Sequence, residues 1–197
     1  MKTTQDISRR GIVGAAAALA FGSALVGAQE PAGKPQETAP ASPPQPRPRS
    51  VILVRHAEKA ADDPRDPTLS DVGKLRAAAL LRLLGETRVT HVWTSEFKRT
   101  KDTVRAIAEK GKVVPVEFPA RDPLGLAARL QALPAGSISL VVGHSNTLPA
   151  VAKALGAALS NLAGGTDLRE DEYDRFVVIT LPPEGEACAL LELRYGA

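Results

Sequence analysis

The chain is poor in the residue types that build disulfides, metal centres and base-stacking surfaces. It has one cysteine in 197 residues, which excludes an intramolecular disulfide and a cysteine-cluster metal site. Its three histidines lack the close spacing of metal ligands. Aromatic residues make up only 4% of the chain, which leaves no stacking platform for nucleic acid. We therefore predict no metal, no other cofactor and no nucleic-acid partner.

The chain also has little net charge, and that charge is unevenly distributed. The formal charge is +3, from 25 Lys and Arg against 22 Asp and Glu. Residues 1–49 contain six Lys or Arg and three Asp or Glu, so residues 50–197 contain 19 of each kind. The larger part of the chain is neutral by count, and it is long enough to form one domain with a hydrophobic core.

Residues 1–28 have the pattern of an export signal. A basic start containing Arg9 and Arg10 precedes a run without charge, which ends in small residues before Ala28. The segment Ser8-Arg9-Arg10-Gly11-Ile12-Val13 resembles a twin-arginine signal, which predicts a periplasmic or secreted protein with no membrane span after cleavage. The alternative is an uncleaved membrane anchor, although the run is weakly hydrophobic.

Residues 29–49 are predicted to be a disordered linker. Seven prolines lie between residues 31 and 49, together with Ala, Gln, Ser and Thr. Proline lacks a backbone donor and disfavours both helix and sheet. The folded domain is therefore predicted over residues 50–197. Nothing in the composition indicates an oligomeric state.

The domain alternates short apolar runs with helical patterns. Strands are predicted over 51–54, 89–94, 113–118, 138–142, 176–181 and 187–195, and helices over 70–84, 95–110, 124–133 and 147–155. In the first helix, Leu75, Ala78, Ala79 and Leu83 are predicted to share the buried face. The alternation predicts an α/β fold, a three-layer α/β/α sandwich with a mostly parallel sheet and a hairpin at the end.

Polar residues follow three of these strands. Arg55 and His56 follow the first strand, Arg99 lies one turn into the helix after the second, and His144 follows the fourth. The carboxyl ends of parallel strands meet at one edge of a sheet, where ligands bind. Helix N-termini and arginine forks there suit the oxygens of a phosphoryl group, and Ser145 and Asn146 are predicted to contribute to substrate binding.

Four segments occur in the order of the histidine phosphatase superfamily, the phosphoglycerate mutase-like proteins. They are Arg55-His56-Ala57-Glu58, Leu69-Ser70-Asp71-Val72-Gly73, Thr94-Ser95-Glu96-Phe97-Lys98-Arg99-Thr100 and Val142-Gly143-His144-Ser145. The chain resembles the small, minimal phosphatases of branch 1. The resemblance implies that His56 is a nucleophile that becomes phosphohistidine, that Arg55 and Arg99 hold the phosphoryl oxygens, and that His144 donates to the transferring group.

The leaving group requires a proton, and here the sequence departs from better-known members. Their glutamate motif after the third strand is missing. Asp122 is the preferred candidate for the acid, and Glu117 is the alternative. A phosphoramidate or acyl phosphate would need a weaker acid. Tyr173 precedes a strand and is expected to serve the turn there, with a place on the rim of the substrate site as the alternative.

The resemblance implies a metal-independent phosphatase that acts on a phosphorylated small molecule or a phosphoprotein. Only 44 residues separate Arg99 from His144, which leaves no room for a large lid and favours a phosphatase over a mutase. Two alternatives stay open: a phosphate-binding envelope protein on the same fold, and a phosphotransferase.

Overall fold

The computed structural model describes residues 47–183 and 187–196. The predicted signal and almost all of the predicted linker lie outside these residues. The elements in chain order are β1 (Arg49–Arg55), α1 (Asp71–Leu84), β2 (His91–Thr94), α2 (Lys98–Gly111), β3 (Val116–Glu117), α3 (Pro123–Gln131), β4 (Ile138–Gly143), α4 (Thr147–Ala154), β5 (Arg175–Leu181) and β6 (Ala189–Arg194).

These strands form one mixed sheet, in the order β3-β2-β4-β1-β5-β6. The neighbours among β1, β2, β3 and β4 run parallel. β5 runs antiparallel to β1, and β6 pairs antiparallel with β5. The predicted mostly parallel sheet is confirmed, and so is the antiparallel pairing of the last two strands.

Two hydrophobic clusters cover the two faces of the sheet, because successive strand residues point to opposite sides. Val51, Leu53 and Val141 pack toward α3 and α4. Ile52 and Val54 pack on the other face, toward α1 and α2. Since α1 lies beside α2 and α3 beside α4, the structure is the predicted three-layer sandwich.

The predicted bounds of α1 are confirmed, but the predicted buried face is wrong. The Oγ of Ser70 caps the helix by accepting from Gly73 N at 3.1 Å. Leu75 and Leu83 are 70% and 51% exposed, whereas Leu80 is fully buried. Leucines lie on both sides of this helix, so hydrophobic periodicity alone did not determine which side is buried. Gly73 decides it, because a Cβ there would lie 2.3 Å from the carbonyl oxygen of Glu58.

The second helix and third strand are shorter than predicted. α2 begins at Lys98 rather than residue 95, because Phe97 has extended backbone angles and occupies the N-cap position. β3 has two residues instead of six. It forms the edge of the sheet, and Pro115 before it has no N–H to donate to a ladder.

No helix among the described residues has the length and apolar character needed to cross a bilayer. Between Arg99 and His144 the chain forms the rest of α2, then β3, α3 and β4. This is the helix and strand content that the spacing predicted.

The corrected orientation of α1 predicts opposite results for two leucine substitutions. Leu80→Ala removes a fully buried side chain and should lower the free energy of unfolding by about 2–5 kcal/mol. Leu75→Ala, the matched control on the exposed face, should change it by less than about 0.5 kcal/mol. Urea unfolding measures both, and equal losses would contradict the orientation.

Candidate active site

The carboxyl ends of β1, β2 and β4 meet at one edge of the sheet. Arg55, the last residue of β1, pairs in register with Gly143, and Thr94 of β2 pairs with Val142. A cavity of about 600 Å³ opens there. It is lined by six residues predicted from sequence, Arg55, His56, Arg99, His144, Ser145 and Asn146, and by Lys59, Glu96, Phe97, Ala120, Arg121, Thr147, Asp167 and Glu170.

The hydrogen bonds of His56 fix its position and leave one ring nitrogen free to react. Its backbone N–H donates to Gly143 O at 3.0 Å, which extends the β1–β4 ladder by one residue. The Nδ1 atom of its ring lies 2.8 Å from the carbonyl oxygen of Ala57. A carbonyl only accepts, so Nδ1 carries the hydrogen and Nε2 carries the lone pair. Burial, with smaller contributions from His144, Arg99 and Arg55, lowers the pKa of His56 to about 3.

His144 packs against His56 from the end of β4. The two ring centroids are 5.3 Å apart. The backbone N–H of His144 donates to Thr147 Oγ1 at 2.9 Å, and its Nε2 lies 2.8 Å from Ser95 Oγ. Burial, followed by the charge of Arg99, lowers the pKa of His144 to about 4. Both imidazoles are therefore neutral at pH 7.

Arg55 is buried, with 2% of its surface exposed. Its Nη1 donates to the carbonyls of Arg169 and Glu170 at 2.9 Å each and to that of Glu172 at 3.2 Å. Its guanidinium lies 4.2 Å from the centre of the Tyr173 ring. Its Nε is buried and has no partner within the described part of the chain.

Arg99 has a similar environment on the α2 side. Its guanidinium lies 4.2 Å from the centre of the Phe97 ring, and Nη1 is 3.8 Å from Asp66 Oδ1. Its Nε is also buried and has no partner among the described residues. An unmade buried hydrogen bond is costly, and two such donors in side chains that line one cavity suit an incoming oxyanion.

Comparison with known proteins gives this arrangement a family. The family model of the histidine phosphatase superfamily (branch 1) matches residues 51–121, a segment that includes His56, Arg55 and Arg99. Over this segment the chain is similar to the histidine phosphatase superfamily. A curated relative, the fructose-2,6-bisphosphatase TIGAR of Bos taurus, is 36% identical over 70 residues, which span 32% of this chain and 26% of that protein.

Solved structures extend the likeness beyond this segment, to about three quarters of the chain. A protein assigned as phosphohistidine phosphatase SixA from Nakamurella multipartitia is 25% identical, with a TM-score of 0.54 over 78% of this chain and 100% of that one. A mycobacterial glucosyl-3-phosphoglycerate phosphatase has a TM-score of 0.57 at 16% identity, over 73% of this chain and 97% of that one. At that identity the likeness concerns the fold alone.

Neither acid that the sequence suggested is among the residues that line this cavity. Asp122 is exposed and caps α3, because its Oδ1 accepts from Gly125 N at 2.9 Å. Glu117 is paired with Lys101 at 2.9 Å. The carboxylates among the cavity-lining residues are Glu96, Asp167 and Glu170. Of these, Glu96 accepts from Ala120 N at 3.0 Å, which ties it to the loop after β3.

The segment before β5 forms a turn and also places a side chain against the site residues. Tyr173 lies against Arg55, and its ring centroid is 5.9 Å from that of His56. Buried Glu172 holds this segment in place by pairing with Arg175 at 2.7 Å. Sequence reasoning expected a turn role for Tyr173, because no periodic pattern or motif marks this loop.

Within residues 47–183 and 187–196, no group of His, Cys, Asp or Glu could hold a metal ion. The positively charged side chains among the residues that line the cavity are Arg55, Arg99, Lys59 and Arg121.

The two lowered pKa values predict a loss of stability in mild acid. Histidine has an ordinary pKa of 6.5, against about 4 for His144 and about 3 for His56 in the fold. Between about pH 6 and pH 4 the unfolded chain therefore binds more protons than the folded one. The free energy of unfolding should fall with decreasing pH by up to about 1.4 kcal/mol per pH unit for each histidine.

Urea unfolding in phosphate-free buffers between pH 7 and pH 4 measures this slope. His56→Asn keeps a side-chain donor near the Ala57 carbonyl but removes one titrating group. In this variant the free energy of unfolding should change less steeply with pH, by about the contribution of one histidine. An unchanged slope would contradict the burial of a neutral His56.

Proposed function

We propose that residues 50–197 form a metal-independent phosphatase that hydrolyses phosphomonoesters or phosphoramidates through a phosphohistidine on His56. One observation carries the proposal: Arg55 and Arg99 line the same cavity as a neutral His56, and each has a buried guanidinium Nε that lacks a partner in the described part of the chain. A buried donor of this kind gains most from an oxyanion ligand.

The first step transfers the phosphoryl group to the protein. The lone pair of His56 Nε2 forms a bond to phosphorus while the bond from phosphorus to the leaving oxygen or nitrogen breaks. The pKa of about 3 keeps His56 neutral and nucleophilic well below pH 7. Arg55 and Arg99 neutralise charge on the equatorial oxygens, which positions the group for in-line displacement.

The second step restores the histidine. Water attacks phosphorus, the bond from phosphorus to His56 Nε2 breaks, and inorganic phosphate leaves. The proton from the water passes to solvent or to a neighbouring base. Neither step requires a Lewis acid, because the guanidinium groups of Arg55 and Arg99 already supply positive charge at the transferred group.

The leaving group sets the substrate class. Since Asp122 and Glu117 do not line the cavity, the sources of the proton that remain are Glu96, Asp167, Glu170, a protonated His144, solvent and the substrate itself. A phosphoramidate nitrogen protonates more readily than an ester oxygen, which favours phosphoramidates. The similar protein from Nakamurella multipartitia is assigned as a phosphohistidine phosphatase, and this supports the same class.

Turnover of small substrates tests the proposal. The full-length chain, with EDTA present, should hydrolyse p-nitrophenyl phosphate and phosphoramidate. His56→Ala should reduce kcat to below about a thousandth of the wild-type value, because the nucleophile is lost. Asp122→Asn preserves the helix cap and should change kcat by less than about twofold.

Three results would contradict parts of this proposal. Activity that EDTA abolishes would contradict metal independence. Activity that survives in His56→Ala would contradict the phosphohistidine. A folded wild type that binds phosphate with no turnover of either substrate would instead support a binding protein.

We also propose that residues 1–28 direct export through the twin-arginine route, which places the enzyme in the periplasm or outside the cell. The support is the paired Arg9 and Arg10 before an uncharged run. Cleavage near Ala28 would leave no membrane span.

Cell fractionation of a bacterial host tests the export proposal. Substituting both Arg9→Lys and Arg10→Lys should shift the protein from the periplasmic fraction to the cytoplasm in its uncleaved form. Lys2→Ala, which leaves the arginine pair intact, serves as the matched control. Wild-type protein found only in the membrane fraction would indicate the uncleaved anchor instead.

A further inference from the structure

A buried chain of hydroxyl groups runs from the ring of His144 into the protein. His144 Nε2 lies 2.8 Å from Ser95 Oγ, which lies 3.0 Å from Thr100 Oγ1. Thr100 Oγ1 in turn lies 2.8 Å from the carbonyl oxygen of Phe97. Ser95 and Thr100 are both fully buried, so water cannot readily replace any link.

The carbonyl groups at the inner end of this row of hydroxyls set the direction of its hydrogen bonds. Thr100 Oγ1 lies 2.8 Å from the carbonyl oxygen of Phe97 and 3.2 Å from that of Ser95. Both carbonyls can only accept, so we assign the single hydrogen of Thr100 Oγ1 to them rather than to Ser95 Oγ. Thr100 then has only lone pairs for Ser95, so Ser95 Oγ–H donates to Thr100. Ser95 in turn has only lone pairs for the imidazole, so the hydrogen of the neutral ring of His144 must lie on Nε2.

We propose that Ser95 and Thr100 are positioning residues that fix neutral His144 with its hydrogen on Nε2, so that Nδ1 is the nitrogen that meets the phosphoryl group. This inference rests on the proposed function for its catalytic meaning. Nδ1 has no hydrogen-bond partner among the described residues, and His144 lines the cavity beside His56.

This arrangement gives His144 a defined part in the reaction. With a lone pair on Nδ1, the neutral ring accepts a hydrogen bond from a protonated phosphoryl oxygen or from the attacking water. It donates to a phosphoryl oxygen only after Nδ1 gains a proton, and Ser95 Oγ continues to accept from Nε2–H in either state. His144 can therefore change its charge without moving.

Burial is the largest factor that disfavours a second proton on His144, and charged neighbours act beside it. Arg99 on α2, Arg55 on β1 and Lys59 in the loop after it disfavour a second proton on His144, and Glu96 after β2 favours it. Neutral His56 adds no charge to this balance. A phosphoryl group that binds beside the two arginines offsets their charge and thereby favours a proton on Nδ1.

Nuclear magnetic resonance of the imidazole nitrogens tests the assignment without any turnover. Full-length protein labelled with ¹⁵N at histidine gives two-bond ¹H–¹⁵N correlations that distinguish a ring with hydrogen on Nε2 from one with hydrogen on Nδ1. The ring of His144 is identified by its disappearance in His144→Gln. Near pH 7 and without phosphate, the wild type should show hydrogen on Nε2.

The decisive variant does not touch His144 directly. Thr100→Val keeps the shape of the side chain but removes the acceptor for Ser95 Oγ–H. The Ser95 hydrogen should then turn to His144 Nε2, and the ring should switch to hydrogen on Nδ1. Thr100→Ser retains the hydroxyl and should keep the wild-type form.

A second variant keeps the test independent of how Thr100→Val folds. Ser95→Ala removes one oxygen and should give a mixture of both ring forms. It should also lower kcat about tenfold with little change in KM, because about one hydrogen bond of positioning is lost. Ser139→Ala, which removes another buried hydroxyl that lacks a partner among the described residues, should change neither the spectrum nor kcat.

The outcomes separate this inference from the proposed function. Hydrogen on Nδ1 in the wild type, or an unchanged ring form in a folded Thr100→Val or Ser95→Ala protein, would overturn the inference even if the enzyme is active. The expected nitrogen spectra in a protein without phosphatase activity would support the assigned ring form and contradict the proposed function.

Discussion

A charged guanidinium, buried at the end of β1, is the interaction on which the rest of the site depends. Removing the charge of Arg55 from water is costly unless hydrogen bonds replace the lost hydration. The carbonyls of Arg169, Glu170 and Glu172 supply those bonds to Nη1, and the face of Tyr173 covers the group. The loop before β5 is thereby fixed beside the nucleophile, and Nε has no partner among the described residues.

The neutral state of the two histidine rings follows from the same constraint. Two arginines already line the cavity, so protonated imidazoles next to them would add repulsion and further desolvation. Burial and these charges keep both rings neutral, and each ring is then controlled by the hydrogen bond on one of its nitrogens. The Ala57 carbonyl fixes His56, and Ser95 fixes His144. A neutral nucleophile can therefore coexist with a cationic phosphate clamp.

Some of the misjudged features show why local pattern has limits. Leu75 and Leu80 are equally apolar, and only their burial in the fold, together with the close approach of Gly73 to the Glu58 backbone, shows which of them faces the sheet. Asp122 stands in the segment where an acid was expected, yet its carboxylate is used to cap α3. Tyr173 and Glu170 lie in a loop without a motif. Their roles arise from contacts with Arg55, more than a hundred residues earlier in the chain.

The sequence by itself determined the order of strands and helices, the three layers, and the meeting of Arg55, His56, Arg99 and His144 at one edge of the sheet. These features depend on periodicity and on the rule that parallel strands end together, and both can be read from nearby residues. Only the tertiary structure decided the buried face of α1, the carboxylates of the cavity and the hydroxyl chain behind His144. Each of these depends on a distance between residues far apart in the chain, such as Ser95 and His144, and no local pattern encodes such a distance.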